Sequence, residues 1–273
     1  NHWLAETLAT GAGDLVVSGG LANLAGTVEV TGNHTFRGGV ANLSGRYQAI
    51  SNLVTITGGK ANFDGTGTIV PAMLVISNNG TLGGKAPVQV SGPLRWSNGS
   101  IVGSGVVVAQ GGLELSGSSL ILSGRALVNQ GQGRWVNSGF GSLEMMNGAV
   151  ISNLVGATFE IGFDGLLLDS GGAVGIVNAG VFRKTAGGGT ATMDVPFRTS
   201  GAVEILSGTL RFQRAFTQTG GRTPLRGGSI SSAVPLALLG GVLEGKGRVL
   251  GGVRSAGWVS PGASPGELVI EGP

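Results

Sequence analysis

The sequence predicts an all-β chain folded as a single parallel β-solenoid, or β-helix, with about 20 residues per coil and a right-handed winding, and three observations carry that expectation. Glycine makes up 55 of the 273 residues. Val, Leu and Ile alternate with polar residues in short runs, the two-residue period of strands, and no stretch sustains a helical period. An eight-residue block recurs at offsets of 19 and 20 residues.

The composition narrows the class further. Hydrophobic residues are 41% of the chain but charged residues only 11%, against about a quarter in an ordinary globular domain. So much glycine, with enough aliphatic residues to bury a core, requires a turn every few residues. With one Tyr and nine Phe, small and β-branched side chains are expected to fill a thin interior in place of large aromatics.

Residues 1–13 lack the repeat and read as an N-terminal cap or joining segment; residues 14–273 read as one continuous solenoid, with no linker inside it. Strand runs begin with Leu15-Val16-Val17 and Thr27-Val28-Glu29-Val30 and continue with Leu53-Val54-Thr55-Ile56-Thr57 and Thr68-Ile69-Val70. Between them lies the block Gly19-Gly20-Leu21-Ala22-Asn23-Leu24-Ala25-Gly26. It returns as Gly38-Gly39-Val40-Ala41-Asn42-Leu43-Ser44-Gly45 and as Gly58-Gly59-Lys60-Ala61-Asn62-Phe63-Asp64-Gly65.

Strands this short cannot each bury an apolar face alone, so successive coils must stack. At the strand spacing of about 4.8 Å, about 13 coils give a rod of roughly 60 to 65 Å. Stacking aligns Asn23, Asn42 and Asn62 as an asparagine ladder and Leu24, Leu43 and Phe63 as a core column. Asparagine and glycine also suit tight corners with positive φ. Later copies are degenerate, as in Trp96-Ser97-Asn98-Gly99-Ser100-Ile101-Val102-Gly103 and Leu120-Ile121-Leu122-Ser123-Gly124.

From about residue 176 onward the order of residues becomes specific. Asn178-Ala179-Gly180-Val181-Phe182-Arg183-Lys184 is followed by Val195-Pro196-Phe197 and Gly201-Ala202-Val203-Glu204-Ile205-Leu206-Ser207-Gly208-Thr209-Leu210. Leu243-Glu244-Gly245-Lys246-Gly247-Arg248-Val249 and the run from Val259 to Ile270 complete the pattern. This third of the chain resembles the glycine-rich β-strand repeat regions of very large bacterial surface proteins and is similar to autotransporter-type passenger β-helices. The resemblance implies an exported parallel β-solenoid used in adhesion or surface architecture, and it implies no catalytic residues. Thr199 and Ser255 stand where such repeats usually carry asparagine before glycine, a departure expected to weaken a corner ladder there.

The remaining features fit that reading. The chain has no cysteine, which rules out disulfide staples and thiolate metal sites. Asn1 is not a start methionine, so removal of an export leader is expected, with secretion to the bacterial cell surface as the destination. The apolar stretch Ala233 to Leu243 is broken by Pro235 and two glycines, so no membrane span is expected. Net charge is +3, and the basic residues, Arg37, Arg46, Arg95, Arg125, Arg134 and Arg211 among them, are scattered singly. Nucleic acid is therefore not an expected partner; these side chains are expected on outward faces, paired with carboxylates of neighbouring coils.

Chemical motifs are weak. Gly262-Ala263-Ser264-Pro265-Gly266 has the form of a hydrolase elbow, but Pro265 lacks the N–H an oxyanion hole needs, and the only histidines are His2 and His34. Gly240 to Lys246 has the form of a phosphate loop, but Gly247 stands where Ser or Thr would hold magnesium. Asp64 and Asp164 occupy similar Phe-Asp-Gly corners without calcium-loop spacing. Glu144 and Asp164, 20 residues apart and near Glu160 and Asp169, would stack on one face as in a polysaccharide-cleaving β-helix. Thr55-Ile56-Thr57, Thr66-Gly67-Thr68 and Thr190-Ala191-Thr192 do not recur at a constant interval, so an ice-binding face would be broken. Sequons such as Asn33-His34-Thr35 and Asn79-Gly80-Thr81 arise readily in such repeats.

The expectation is a non-enzymatic extracellular protein without cofactor or metal, a β-solenoid that self-associates end to end into a surface filament or matrix fibre. The alternatives are a stalk or adhesin segment of a larger surface protein, or a β-helix that binds or cleaves surface polysaccharide or matrix.

Overall fold

A computed structural model describes residues 2–49, 52–262 and 266–272. The chain is all-β, with no helix among the described residues and hence none long and apolar enough to cross a membrane. Its strands pair in parallel with strands about 20 residues away, making a β-solenoid of about 13 turns. Two compact units divide it, Asn1–Gly131 and Gln132–Pro273, although the sequence marks no boundary there.

In the N-terminal unit, residues 1–13 already contribute strands: His2–Trp3 pairs with Leu21–Leu24, and Leu8–Gly11 with Thr27–Val30. The registers then hold close to the sequence repeat. Leu15, His34, Val54, Leu74, Leu94 and Leu113 align across successive coils, and beside them run Val17, Phe36, Ile56, Ile76, Trp96 and Leu115. Alternation puts these side chains inside because successive residues of a strand point to opposite faces. Gly39 shows why the paired glycines recur: its φ is 66°, and a Cβ there would run into the carbonyl of Gly20 in the coil below. A left-handed corner stacked this closely excludes side chains.

In the C-terminal unit the coils lengthen and then shorten. Gln132 pairs with Thr158 and Val150 with Gly175, Phe197 pairs with Phe216, and Leu236 pairs with Val253. Aromatic rings fill this interior, contrary to the expectation of a small-residue core. Phe159 and Phe182 stack at 5.4 Å with planes 2° apart, and Phe182, Phe197, Phe212 and Phe216 continue the contact at 4.7 to 5.8 Å. Phenylalanines are few, but parallel registers place them above one another, where each buried ring contributes about 1.5 to 3 kcal/mol of transfer free energy. Eight of the nine are buried; Phe140 is the exception.

Candidate functional site

The repeat residues meet as the alignment requires. Asn42 Nδ2 donates to Asn23 Oδ1 at 2.8 Å, and Asn62 Nδ2 donates to Asn42 Oδ1 at 2.8 Å. Leu24, Leu43 and Phe63 lie in register beside them and are buried. These asparagines sit within strands and face outward, not at corners; positive φ belongs instead to Asn78, Asn79, Asn98 and Asn147. Both columns stop one coil later, where Gly83 aligns with Asn62 and Gly84 with Phe63.

Arg125 takes over at that point, a correction to its expected place on an outward face. The side chain is wholly buried. Nη2 donates to the carbonyls of Gly83 at 3.1 Å and Gly84 at 2.5 Å, Nη1 to Ala86 at 3.2 Å, and Nε to Val102 at 2.8 Å. Burial lowers its pKa to about 10, opposed in part by the charge of Asp64. A guanidinium satisfies so many carbonyls at once because its five N–H groups fan out in one plane.

A second ladder, inside the C-terminal unit, was not visible in the repeat. Asn153, Asn178, Thr199 and Gln218 are in register and buried. Asn153 Nδ2 donates to Asn178 Oδ1 at 2.8 Å, and Asn178 Nδ2 donates to Thr199 Oγ1 at 3.0 Å. Thr199 therefore continues the ladder it was expected to weaken: a hydroxyl oxygen accepts where an amide oxygen otherwise would, and it also takes the Gly201 N–H at 3.2 Å. In Asn178-Ala179-Gly180-Val181-Phe182-Arg183-Lys184 the alternate positions Asn178, Gly180, Phe182 and Lys184 are the inward set. Lys184 is buried, and its Nζ donates to Asp164 Oδ1 at 2.8 Å and to the carbonyls of Ala186 and Gly187 at 2.7 and 2.8 Å.

Glu144 and Asp164 do not stack in register. Glu144 aligns with Leu168, not with Asp164, because this coil takes 24 residues where 20 were assumed. Glu160 sits between Arg134 at 3.4 Å and Arg183 at 3.2 Å and also accepts from Thr185 Oγ1 at 3.0 Å. Asp169 Oδ1 accepts the N–H of Gly171. Asp64 Oδ1 accepts the N–H of Lys85 at 3.2 Å, one coil on. All eight ion pairs among the described residues, including Arg46–Glu29, Arg95–Glu114 and Arg214–Asp194, join neighbouring coils.

Two further motifs resolve as strand structure. Gly245 and Lys246 lie within the strand Val242–Leu250, so no helix N-terminus follows to cradle a phosphate. Thr55 aligns with Thr35 on one side and Val75 on the other, which breaks the threonine row. In the hydrolase-like Gly262 to Gly266 run, residues 263–265 lie outside the described residues. No three His, Asp or Glu gather among the described residues. Comparison with family models, curated proteins and solved structures finds no match to this chain.

Proposed function

We propose that this chain is a non-enzymatic structural β-solenoid of an exported bacterial surface protein, of the glycine-rich adhesin type that its sequence resembles. The observation that carries the reading is where its polar side chains go: the two ladders, Arg125, Lys184 and the ion pairs connect one coil to the next. Side chains committed in this way stiffen a stack, and Glu144 and Asp164, which 20-residue coils would have paired, lie out of register. The strands Trp258–Ser260 and Leu268–Glu271 carry exposed Trp258, Val259 and Ile270, which a further coil would cover. Unpaired strand edges of this kind add strands readily. On this reading a second copy's strands cover these residues in a filament; the alternative is a stalk or adhesin segment of a larger surface protein.

Electron microscopy of the native protein over a concentration series, with polysaccharide breakdown assayed in parallel, tests the proposal. Fibres that lengthen with concentration establish the filament form, and unassociated particles at every concentration establish the stalk form. Turnover of any polysaccharide would overturn the non-enzymatic reading.

A further inference from the structure

We propose that an open groove on the C-terminal unit, between the loop 136–141 and the Asp164 corner, binds a neutral oligosaccharide chain. Two strands of one coil, Gln132–Trp135 and Ser142–Met146, are joined by this loop. Asn137 fixes it from within: its Nδ2 donates to the Phe140 carbonyl at 2.5 Å, and its Oδ1 accepts the Ser138 N–H at 3.0 Å. The pinned loop holds Phe140 with 68% of its surface in water, whereas all the other phenylalanines are buried. The ring therefore stands open at the edge of the groove that this loop borders.

Beside the ring lies a groove of about 500 Å³, lined by Phe140, Phe163, Asp164 and Ser138 over a glycine floor that includes Gly162 and Gly187. Its size falls within the range of small-molecule sites. Asp164 Oδ1 accepts from Lys184 Nζ and Oδ2 accepts the Gly189 N–H at 3.0 Å. A carboxylate offers about four acceptor positions, so each oxygen keeps one for a ligand. Buried Lys184 fixes the carboxylate from below and offsets its charge, while no cation lines the groove.

An apolar ring face next to an anchored hydroxyl acceptor matches a pyranose, whose C–H face packs on an aromatic ring while its hydroxyls donate at the edge. The absence of a lining cation selects neutral sugars over polyanions. The site borrows the Asp164 end of the Lys184–Asp164 inter-coil pair but does not involve the strands Trp258–Ser260 and Leu268–Glu271, so it does not depend on whether the protein forms filaments.

Affinity electrophoresis of the full chain in native gels containing laminarin, soluble starch, mannan or arabinoxylan tests the site, with heparin and polygalacturonate as acidic probes. At least one neutral polysaccharide should retard the protein, and Phe140→Ala should weaken that retardation about tenfold with an unchanged melting temperature. Phe140→Tyr should retain it. Gly139→Leu should abolish it, because a Cβ at Gly139 meets nothing within 4 Å and the side chain can occupy the groove without a clash. Equal retardation of Phe140→Ala, retardation by the acidic probes alone, or none by any neutral polysaccharide would overturn the proposal.

Discussion

The two units reach stacked coils by different means. Residues 15 to 115 repeat at intervals of 19 to 21 residues, with columns of mostly aliphatic residues inside, interrupted by single rings such as Phe36, Phe63 and Trp96, and a half-buried asparagine ladder outside. The C-terminal unit has coils of uneven length, a phenylalanine stack inside, and its asparagine ladder buried. The contrast shows that a solenoid is specified by inward registers, not by coil length. Where the interior is held by rings and buried amides, loops lengthen without disturbing the stack. The 136–141 loop, with its exposed ring, grows out of that freedom.

Four perturbations break or sharpen the comparison. The largest effect is expected from Phe182→Ala, which opens the ring stack between Phe159 and Phe197 and should cost about 4 kcal/mol in chemical denaturation of the C-terminal unit. Next comes Asn178→Ala, which leaves buried Asn153 and Thr199 without a shared partner and should cost about 2 kcal/mol by the same measurement.

Histidine gives the N-terminal unit a pH dependence. Buried His34 stands in an apolar column, where Nε2 faces the Val30 carbonyl at 3.1 Å and Nδ1 faces the Tyr47 hydroxyl. Desolvation holds its pKa below the ordinary 6.5, against weaker upward pulls from the Val30 carbonyl and Asp14. Protons therefore favour the unfolded chain once the pH drops below its ordinary value. Stability should be level above pH 6.5, fall as pH drops from there toward the folded pKa, and level again below it. Thermal melts across this window should lose that slope in His34→Phe.

Asn42→Ala should have the smallest effect, about 0.5 to 1 kcal/mol, because the outer ladder is half-buried and water replaces its bonds. If it cost as much as Asn178→Ala, the distinction between the two ladders would fail.

How much was legible follows from the same contrast. The block around Asn23, Asn42 and Asn62 announced its own register because inward and outward positions both repeat. Strand alternation could also have exposed Arg125, which shares the inward phase with Leu127 and Asn129. Lys184 shares it with Asn178 and Phe182. Charge alone argued for the surface, and it misled because corner carbonyls make a polar socket inside the stack. The supposed pairing of Glu144 with Asp164 failed because coil length varies there, a variation that no local pattern records. Phe140 looked like the other phenylalanines until the loop around it was seen.

Native-state hydrogen exchange, read by mass spectrometry, tests the central claim that buried inter-coil contacts hold the stack. The account predicts slow exchange for the strands Thr158–Ile161, Val181–Lys184 and Phe197–Thr199, and local acceleration there in Asn178→Ala. Rapid exchange through those strands in the unaltered protein, or no change on removing Asn178, would contradict it.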